Sequence, residues 1–304
     1  MHEDHDWLIV GAGGQLGQAV VKELSKRGMC FRALTSTQLD VRDYESVRKQ
    51  ILQLKPKVIV NCAGWTDVPG AEKSEELATI LNAYAVENIV KVASGIGSIT
   101  VQISSDYVFS GEKNQPYVEA DPLTPINAYG RSKALGEQLI SKLDYSQIYV
   151  FRTAWLYSEF GRNFVKTILR KYLSQQYPLR VVNDQFGNPT SAAELAFQIV
   201  ESVSSRIPFG TYHAVNTNCA SWYDLSRATF EILALETSNL IGIPSSDFES
   251  KVKRPRNSCL DTSKWLQTQV PAMRSWKIAL QDTIENVYQA VEREVQDEFR
   301  KNGN

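Results

Sequence analysis

Four apolar residues, Trp7-Leu-Ile-Val10, run straight into Gly11-Ala-Gly-Gly-Gln-Leu-Gly17, and helical periodicity takes over from Gln15 to Arg27. A buried strand that turns into a helix through glycines commits the chain to a βα unit with exposed backbone at the turn. Gly11 permits the tight turn, Gly14 lets a pyrophosphate approach the backbone, and Gly17 lets helix and strand pack closely. The helix start at Gln15 and Leu16 adds N–H donors and a partial positive charge suited to phosphates. A bare strand-to-helix turn is the plain alternative, but the position at the head of the first βαβ unit favours dinucleotide binding.

The same alternation continues. Cys30 to Leu34, Val58 to Asn61, Ile99 to Ile103 and Ile148 to Phe151 read as short apolar strands, with helices from Asp43 to Leu54, from about Ala71 to Ala93, and around Tyr129. Asp43 is placed to cap its helix. Such a pattern predicts an α/β fold, a Rossmann-type doubly wound parallel sheet covered on both faces. The second half is less regular: helices at Asn163 to Leu173, Ala192 to Val203 and Trp222 to Leu235, a strand at Leu179 to Val182, and a long charged helix from Trp276 to Phe299. We read residues 1–154 plus about 179–206 as the NAD(P)-binding domain. Residues 155–178 and 207–304 then form a smaller, partly interleaved substrate-binding cap.

With 304 residues, 43% hydrophobic, the chain buries a sizeable core. A formal charge of −1 gives no reason to expect nucleic acid as a partner, and no apolar run reaches the length of a membrane span. The polar start, with His2 and His5, is read as a solvated terminus rather than a metal site or signal peptide. Cys30, Cys62, Cys219 and Cys259 show no metal or redox spacing, so reduced thiols in a cytoplasmic protein are expected. The last helix could pack on the cap or against a second copy, which leaves a homodimer open.

The chemistry concentrates at strand ends. Tyr129 and Lys133 stand four apart in Pro125-Ile-Asn-Ala-Tyr-Gly-Arg-Ser-Lys133, on one face of a helix. An ammonium beside a phenol favours phenolate, so the pair predicts a lowered Tyr129 pKa and a proton donor to a carbonyl oxygen. Taken alone, a partly buried Tyr beside a solvated Lys is the plainer reading. Ser105, at the end of the fourth strand in Ser104-Ser-Asp-Tyr-Val-Phe109, faces the crevice where parallel sheets bind ligands, and could polarise that carbonyl. Cys62, Ala63 and Gly64 are small enough for close approach to a cofactor, or simply form a turn. After the second strand Thr35-Ser-Thr37 replaces the usual acid, which permits NADPH and leaves NADH possible. Arg32 is a candidate partner for the 2′-phosphate. Asp40, followed by Val41, either accepts from the adenine amino group or caps a helix.

In this order and spacing, Gly-x-x-Gly-x-x-Gly, Asn-x-Ala-Gly, Ser-Ser-Asp and Tyr-x-x-x-Lys resemble an extended short-chain dehydrogenase/reductase. More narrowly, Ser-Ser-Asp-Tyr-Val-Phe-x-Gly, Arg152-Thr-Ala-Trp-Leu-Tyr157, Gly161-Arg-Asn-Phe164, Asp184-Gln-Phe-Gly-Asn-Pro-Thr190 and Arg254-Pro-Arg-Asn-Ser-Cys-Leu-Asp-Thr-Ser-Lys264 resemble the dTDP-4-dehydrorhamnose reductase family. The resemblance implies hydride transfer from NAD(P)H to C4 of dTDP-4-dehydro-β-L-rhamnose. Tyr129 would protonate the alkoxide, Lys133 would hold the nicotinamide ribose, and Ser105 would polarise the ketone. It also implies sugar or nucleotide contacts from Thr66, Asp106, Tyr107, Trp155, Asn163, Gln185, Thr190 and Arg254. Trp155 as core and Arg254 as a solvated loop residue are the bland counterparts. Some members use Mg2+, for which no ligand cluster is assigned here.

One departure from the family pattern falls in Thr66-Asp-Val-Pro-Gly-Ala-Glu72, where Pro69 and Gly70 stand in place of a charged segment. It bears on the sugar rather than the hydride chemistry. Tyr107 occupies the position where a 4,6-dehydratase would carry an acid, which disfavours that reaction. An epimerase of the same scaffold and a non-catalytic subunit similar to the β subunit of methionine adenosyltransferase are the rival readings.

Overall fold

The alternation of side chains along β1 (Trp7–Val10) determines how the chain divides its core. Trp7 and Ile9 face a cluster with Leu16 and Val20 of α1 (Gln15–Lys26), and with Leu195 and Ile199 of a later helix. Leu8 and Val10 face the other way, toward Leu34, Val47, Ile51 and Ile89. Both faces are therefore buried, which is why this strand carries no polar residue. The computed structural model describes residues 6–250 and 252–302. His2 and His5 lie outside the described residues.

β2 (Phe31–Leu34), β3 (Val58–Asn61), β4 (Ile99–Ser105) and β5 (Ile148–Thr153) join β1 in one sheet, completed by Gly210–His213. Every pairing in it is parallel. From one edge the order is Gly210–His213, β5, β4, β3, β1, β2, so the chain reverses its direction of winding between β1 and β3. Ligand crevices open at the carboxyl ends on either side of such a switch. The doubly wound α/β class read from the sequence holds.

The helix α2 (Tyr44–Leu54) is capped as expected, with Asp43 accepting from the backbone N–H of Glu45 at 3.0 Å and of Ser46 at 3.2 Å. The single helix expected from about Ala71 to Ala93 is a correction. The segment is α3 (Val68–Lys73), α4 (Glu75–Thr79), a π-helical turn Ile80–Tyr84 and α5 (Ala85–Ser94). Ser74 leaves helical geometry at φ −144°, ψ 55°, and separates the first two. Apolar periodicity runs through these breaks because all four pieces pack against the helix Ala128–Ser141. Next comes α6 (Ala128–Ser141), which carries Tyr129 and Lys133.

The cap is built from α7 (Phe164–Leu173), α9 (Trp222–Ile232) and α10 (Trp276–Asn302), with α8 (Ala192–Ser204) between them in sequence but packed on α1. Along α10, Leu280, Ile284, Val287, Val291 and Val295 form one apolar stripe against Val165, Leu169 and Phe230. This stripe of the last helix is thus satisfied within the cap. The boundary differs from the one read above in two places. Leu179–Val182 pairs with Leu240–Ile243 in a cap ribbon, while Gly210–His213 supplies the sixth strand of the main sheet. The expectation of four reduced cysteines is also corrected. Cys219 and Cys259 are joined as a disulfide with Cα atoms 5.9 Å apart, across a separation of 40 residues that spacing does not reveal. Among the described residues no helix is long and apolar enough to cross a membrane.

Candidate active site

The glycine loop is packed so tightly at Gly11 and Gly17 that only glycine fits there. Gly11 adopts φ +76°, and a Cβ on it would lie 2.6 Å from the Ala63 backbone nitrogen. A Cβ on Gly17 would strike the Gly11 carbonyl oxygen. The loop borders a trough at the sheet's carboxyl edge. Its outer part is lined by Gly11, Gly14, Ser36, Asp40, Val41 and Arg42. Its inner part is lined by Gln15, Leu16, Thr66, Ser105, Asp106, Tyr107, Tyr129, Lys133 and Trp155. Gly14, Cys62, Ala63 and Gly64 line both, so the trough is continuous. An elongated, glycine-floored trough that starts at a helix N-terminus fits a dinucleotide.

At the outer end Arg42 grips Asp40, with Nε 2.9 Å from Oδ1 and Nη2 2.6 Å from Oδ2. That hydrogen bonding holds the Asp40 carboxyl below its ordinary range. Arg32, a candidate for the 2′-phosphate, is exposed on β2 and lines neither part of the trough, whereas Ser36 and Arg42 do.

At the inner end, Asn127 starts α6 by accepting from Gly130 N–H at 2.8 Å, which aims Tyr129 and Lys133 at the end of β4. Ser105 Oγ donates to Asp106 Oδ1 at 2.9 Å and accepts from Tyr107 N–H at 3.2 Å. The Lys133 ammonium donates to the Ile103 carbonyl at 3.3 Å, and a Cβ on Gly64 would sit 3.1 Å from its nitrogen. The lowered Tyr129 pKa expected from Lys133 is a correction. Burial pushes the phenol up to about 12, opposed by a hydrogen bond with Ser105 and reinforced by the charge of Asp106. Lys133 donates to the Ile103 carbonyl instead, and burial lowers it to about 8 against the charge of Glu137. The phenol is therefore a full proton carrier at neutral pH. Burial likewise raises Asp106 to about 7, against hydrogen bonds from Ser258 and Ser105.

Trp155 closes the cap side. It holds φ +45°, rare for a bulky residue. Gly187 makes room for its ring, because a Cβ there would be 2.5 Å from the indole nitrogen. Its face is covered by Trp222, with ring centroids 3.4 Å apart and planes 3° from parallel. Trp222 also lines the trough, and the sequence reading missed it as one apolar residue of a helix. The proposed sugar contacts Asn163, Gln185, Thr190 and Arg254 line neither part of the trough. Asn163 caps α7 through Lys166 N–H at 3.0 Å and ties down Gln15 at 2.8 Å. Thr190 is fully buried and donates to the Asn188 carbonyl at 3.0 Å, while Gln185 is half-buried. Arg254 is half-buried and donates to Ser250 Oγ at 3.0 Å, and its charge partly offsets the rise that burial gives the Tyr107 phenol. Among the described residues no group of three or more His, Cys, Asp or Glu is placed to hold a metal.

Comparison with known proteins agrees with this geometry. The family model described as RmlD substrate binding domain matches residues 5–289. A dTDP-4-dehydrorhamnose reductase of Aggregatibacter actinomycetemcomitans is 38% identical, over 90% of this chain and 97% of that protein. A dTDP-4-keto-6-deoxy-D-glucose reductase of Streptomyces niveus is 36% identical, over 90% and 94%. The crystal structure of dTDP-4-dehydrorhamnose reductase from Bacillus anthracis, in complex with NADP, superposes with a TM-score of 0.87 at 32% identity, over 92% of this chain and 98% of that one. The chain belongs to the RmlD substrate-binding-domain family, that of the dTDP-4-dehydrorhamnose reductases.

Proposed function

We propose that the protein reduces the C4 ketone of dTDP-4-dehydro-L-rhamnose to give dTDP-L-rhamnose, with NADPH as the reductant. One observation carries this reading: Ser105, Tyr129 and Lys133 stand together in the wall of the same trough that begins at the glycine loop. Bound NADPH supplies the hydride. Ser105, released from Asp106, donates a hydrogen bond to the ketone oxygen and polarises it. Tyr129, protonated at neutral pH, delivers the proton to the alkoxide that forms at that oxygen. Lys133 lies one helical turn away, is charged below pH about 8, and faces Gly64 across the trough, where it would hold the nicotinamide ribose. The relative from Bacillus anthracis, bound to NADP, supports the phosphorylated cofactor. So does the carboxylate-free Thr35-Ser-Thr37 turn.

Thr66, Asp106, Tyr107 and Trp155 provide hydroxyls, a carboxyl and a ring on the remaining wall, which suits a deoxysugar. A second reading, another dTDP-linked 4-keto-6-deoxysugar, draws on the relative from Streptomyces niveus and on Pro69, which follows Val68 in the same wall. Loss of NADPH absorbance with a panel of dTDP-4-keto sugars separates the two. Fastest turnover on dTDP-4-dehydro-L-rhamnose is expected. Turnover confined to a D-configured 4-keto sugar supports the second reading, and no turnover on any of them refutes both.

A further inference from the structure

One loop of the cap reaches back over the start of α1. Gly161 adopts φ +61°, and a Cβ on it would lie 3.7 Å from the Gln15 backbone nitrogen. The loop is tied down on both sides. Asn163 Nδ2 donates to Gln15 Oε1 at 2.8 Å, Gln15 Nε2 donates to the Leu156 carbonyl at 3.1 Å, and Glu159 pairs with Lys22 at 3.0 Å. Held there, Arg162 lines the trough beside Gly14, Gln15 and Leu16.

The charges around it are unbalanced. Lys22 and Lys166 on either side both have carboxylate partners, in Glu159 and Glu294. Arg162 is exposed and has no ion pair or hydrogen bond with any described residue. The helix it faces has no acid in its first turn, and its cap residue Gly14 has no side chain. Two positive features, a helix N-terminus and a free guanidinium, therefore converge on one stretch of trough with no counter-charge of their own.

We propose that Arg162 is a cofactor-anchoring residue, whose guanidinium binds the diphosphate of the dinucleotide from the cap side, opposite the backbone N–H groups at the start of α1. The inference rests on the reading of a dinucleotide in this trough. The planar guanidinium suits two phosphate oxygens at once, where an ammonium would offer a single point charge. The glycine loop cradles the phosphates from the sheet side, and the Gly161–Arg162 turn closes them in from the cap. Cofactor binding then draws the cap loop and the sheet together at the point where Asn163 already links them.

The experiment titrates full-length wild type, Arg162→Ala and Arg162→Lys with three ligands, by calorimetry. NADPH and 2′-phospho-ADP-ribose carry the diphosphate, and 2′-AMP does not. For Arg162→Ala, Kd should rise about tenfold for the first two and stay unchanged for 2′-AMP. The salt dependence of NADPH binding should become shallower, and Arg162→Lys should recover part of the loss. NADPH affinity within about twofold of wild type in Arg162→Ala overturns the proposal. So does an equal loss for all three ligands, which would make Arg162 a loop-shaping residue. Wild type that binds none of the three overturns the dinucleotide reading itself.

Discussion

Trp222 stacks on Trp155 with ring centroids 3.4 Å apart, so the trough wall proposed to face the sugar carries a second indole from a different part of the chain. Ser221 and Asp224 form a reciprocal capping box at the start of α9 and fix where Trp222 emerges. Stacked aromatic pairs contribute about 0.5–1.5 kcal/mol beyond burial. Trp222→Ala is expected to raise KM for the nucleotide sugar about tenfold, at nearly constant kcat, and Trp222→Phe to retain most of the affinity. An unchanged KM in Trp222→Ala would remove the second indole from the account.

In the proposed reaction the Tyr129 hydroxyl is the proton source. Tyr129→Phe keeps the ring that meets Tyr107 edge-on at a centroid distance of 5.8 Å, so the fold should persist. General acids contribute about a hundred- to ten-thousand-fold. A fall of that size in kcat is expected with NADPH affinity largely retained, measured by steady-state rates and direct titration. Turnover equal to wild type contradicts the assignment.

Asp106 carries a pH signature. Its folded pKa, raised to about 7 by burial, exceeds the value near ~3.9 of an unfolded Asp. The stability contributed by its proton is full below pH about 4 and lost as pH rises through about 7. Asp106→Asn removes that dependence. Urea unfolding at pH about 5 and about 8 should show the Asn variant gaining on wild type at the higher pH. A difference between the two proteins that does not change with pH contradicts the raised pKa.

Beneath the site, Arg152 meets Glu137 with Nε at 3.0 Å from Oε1 and Nη2 at 2.7 Å from Oε2, both side chains buried. Ser104, the neighbour of Ser105, also donates to Glu137, one turn along α6 from Lys133. The pair locks the end of β5 to α6, and Ser104 ties the end of β4 to the same carboxylate. Glu137→Leu strands a buried guanidinium and should cost about 3–5 kcal/mol in urea unfolding, with Glu137→Leu/Arg152→Met recovering much of it. Equal loss in the single and double variants would deny the coupling.

Much of this was legible in the sequence because the signals are local. The glycine loop needs only its own turn, and the Tyr129–Lys133 spacing needs only one helix. What the sequence concealed depends on residues far apart. Trp222 gains its meaning from Trp155, 67 positions earlier, and Cys219 from Cys259. Leu179–Val182 and Gly210–His213 are both four-residue strands, and nothing within them says which joins the main sheet. The Ser74 break and the π-turn at Ile80–Tyr84 escape periodicity, since a bulge leaves the buried side in place. Asn163 and Thr190 stood in motifs beside the site, and their side chains turned out to brace the wall rather than line the trough.

The proposed reaction delivers a hydride to C4 and a proton to its oxygen within one site. NADPH deuterated at nicotinamide C4, on the face transferred, tests it directly with dTDP-4-dehydro-L-rhamnose as substrate. Proton NMR of the product is expected to show dTDP-L-rhamnose with deuterium at C4 alone. A product without deuterium at C4, or deuterium found at another carbon, contradicts the account.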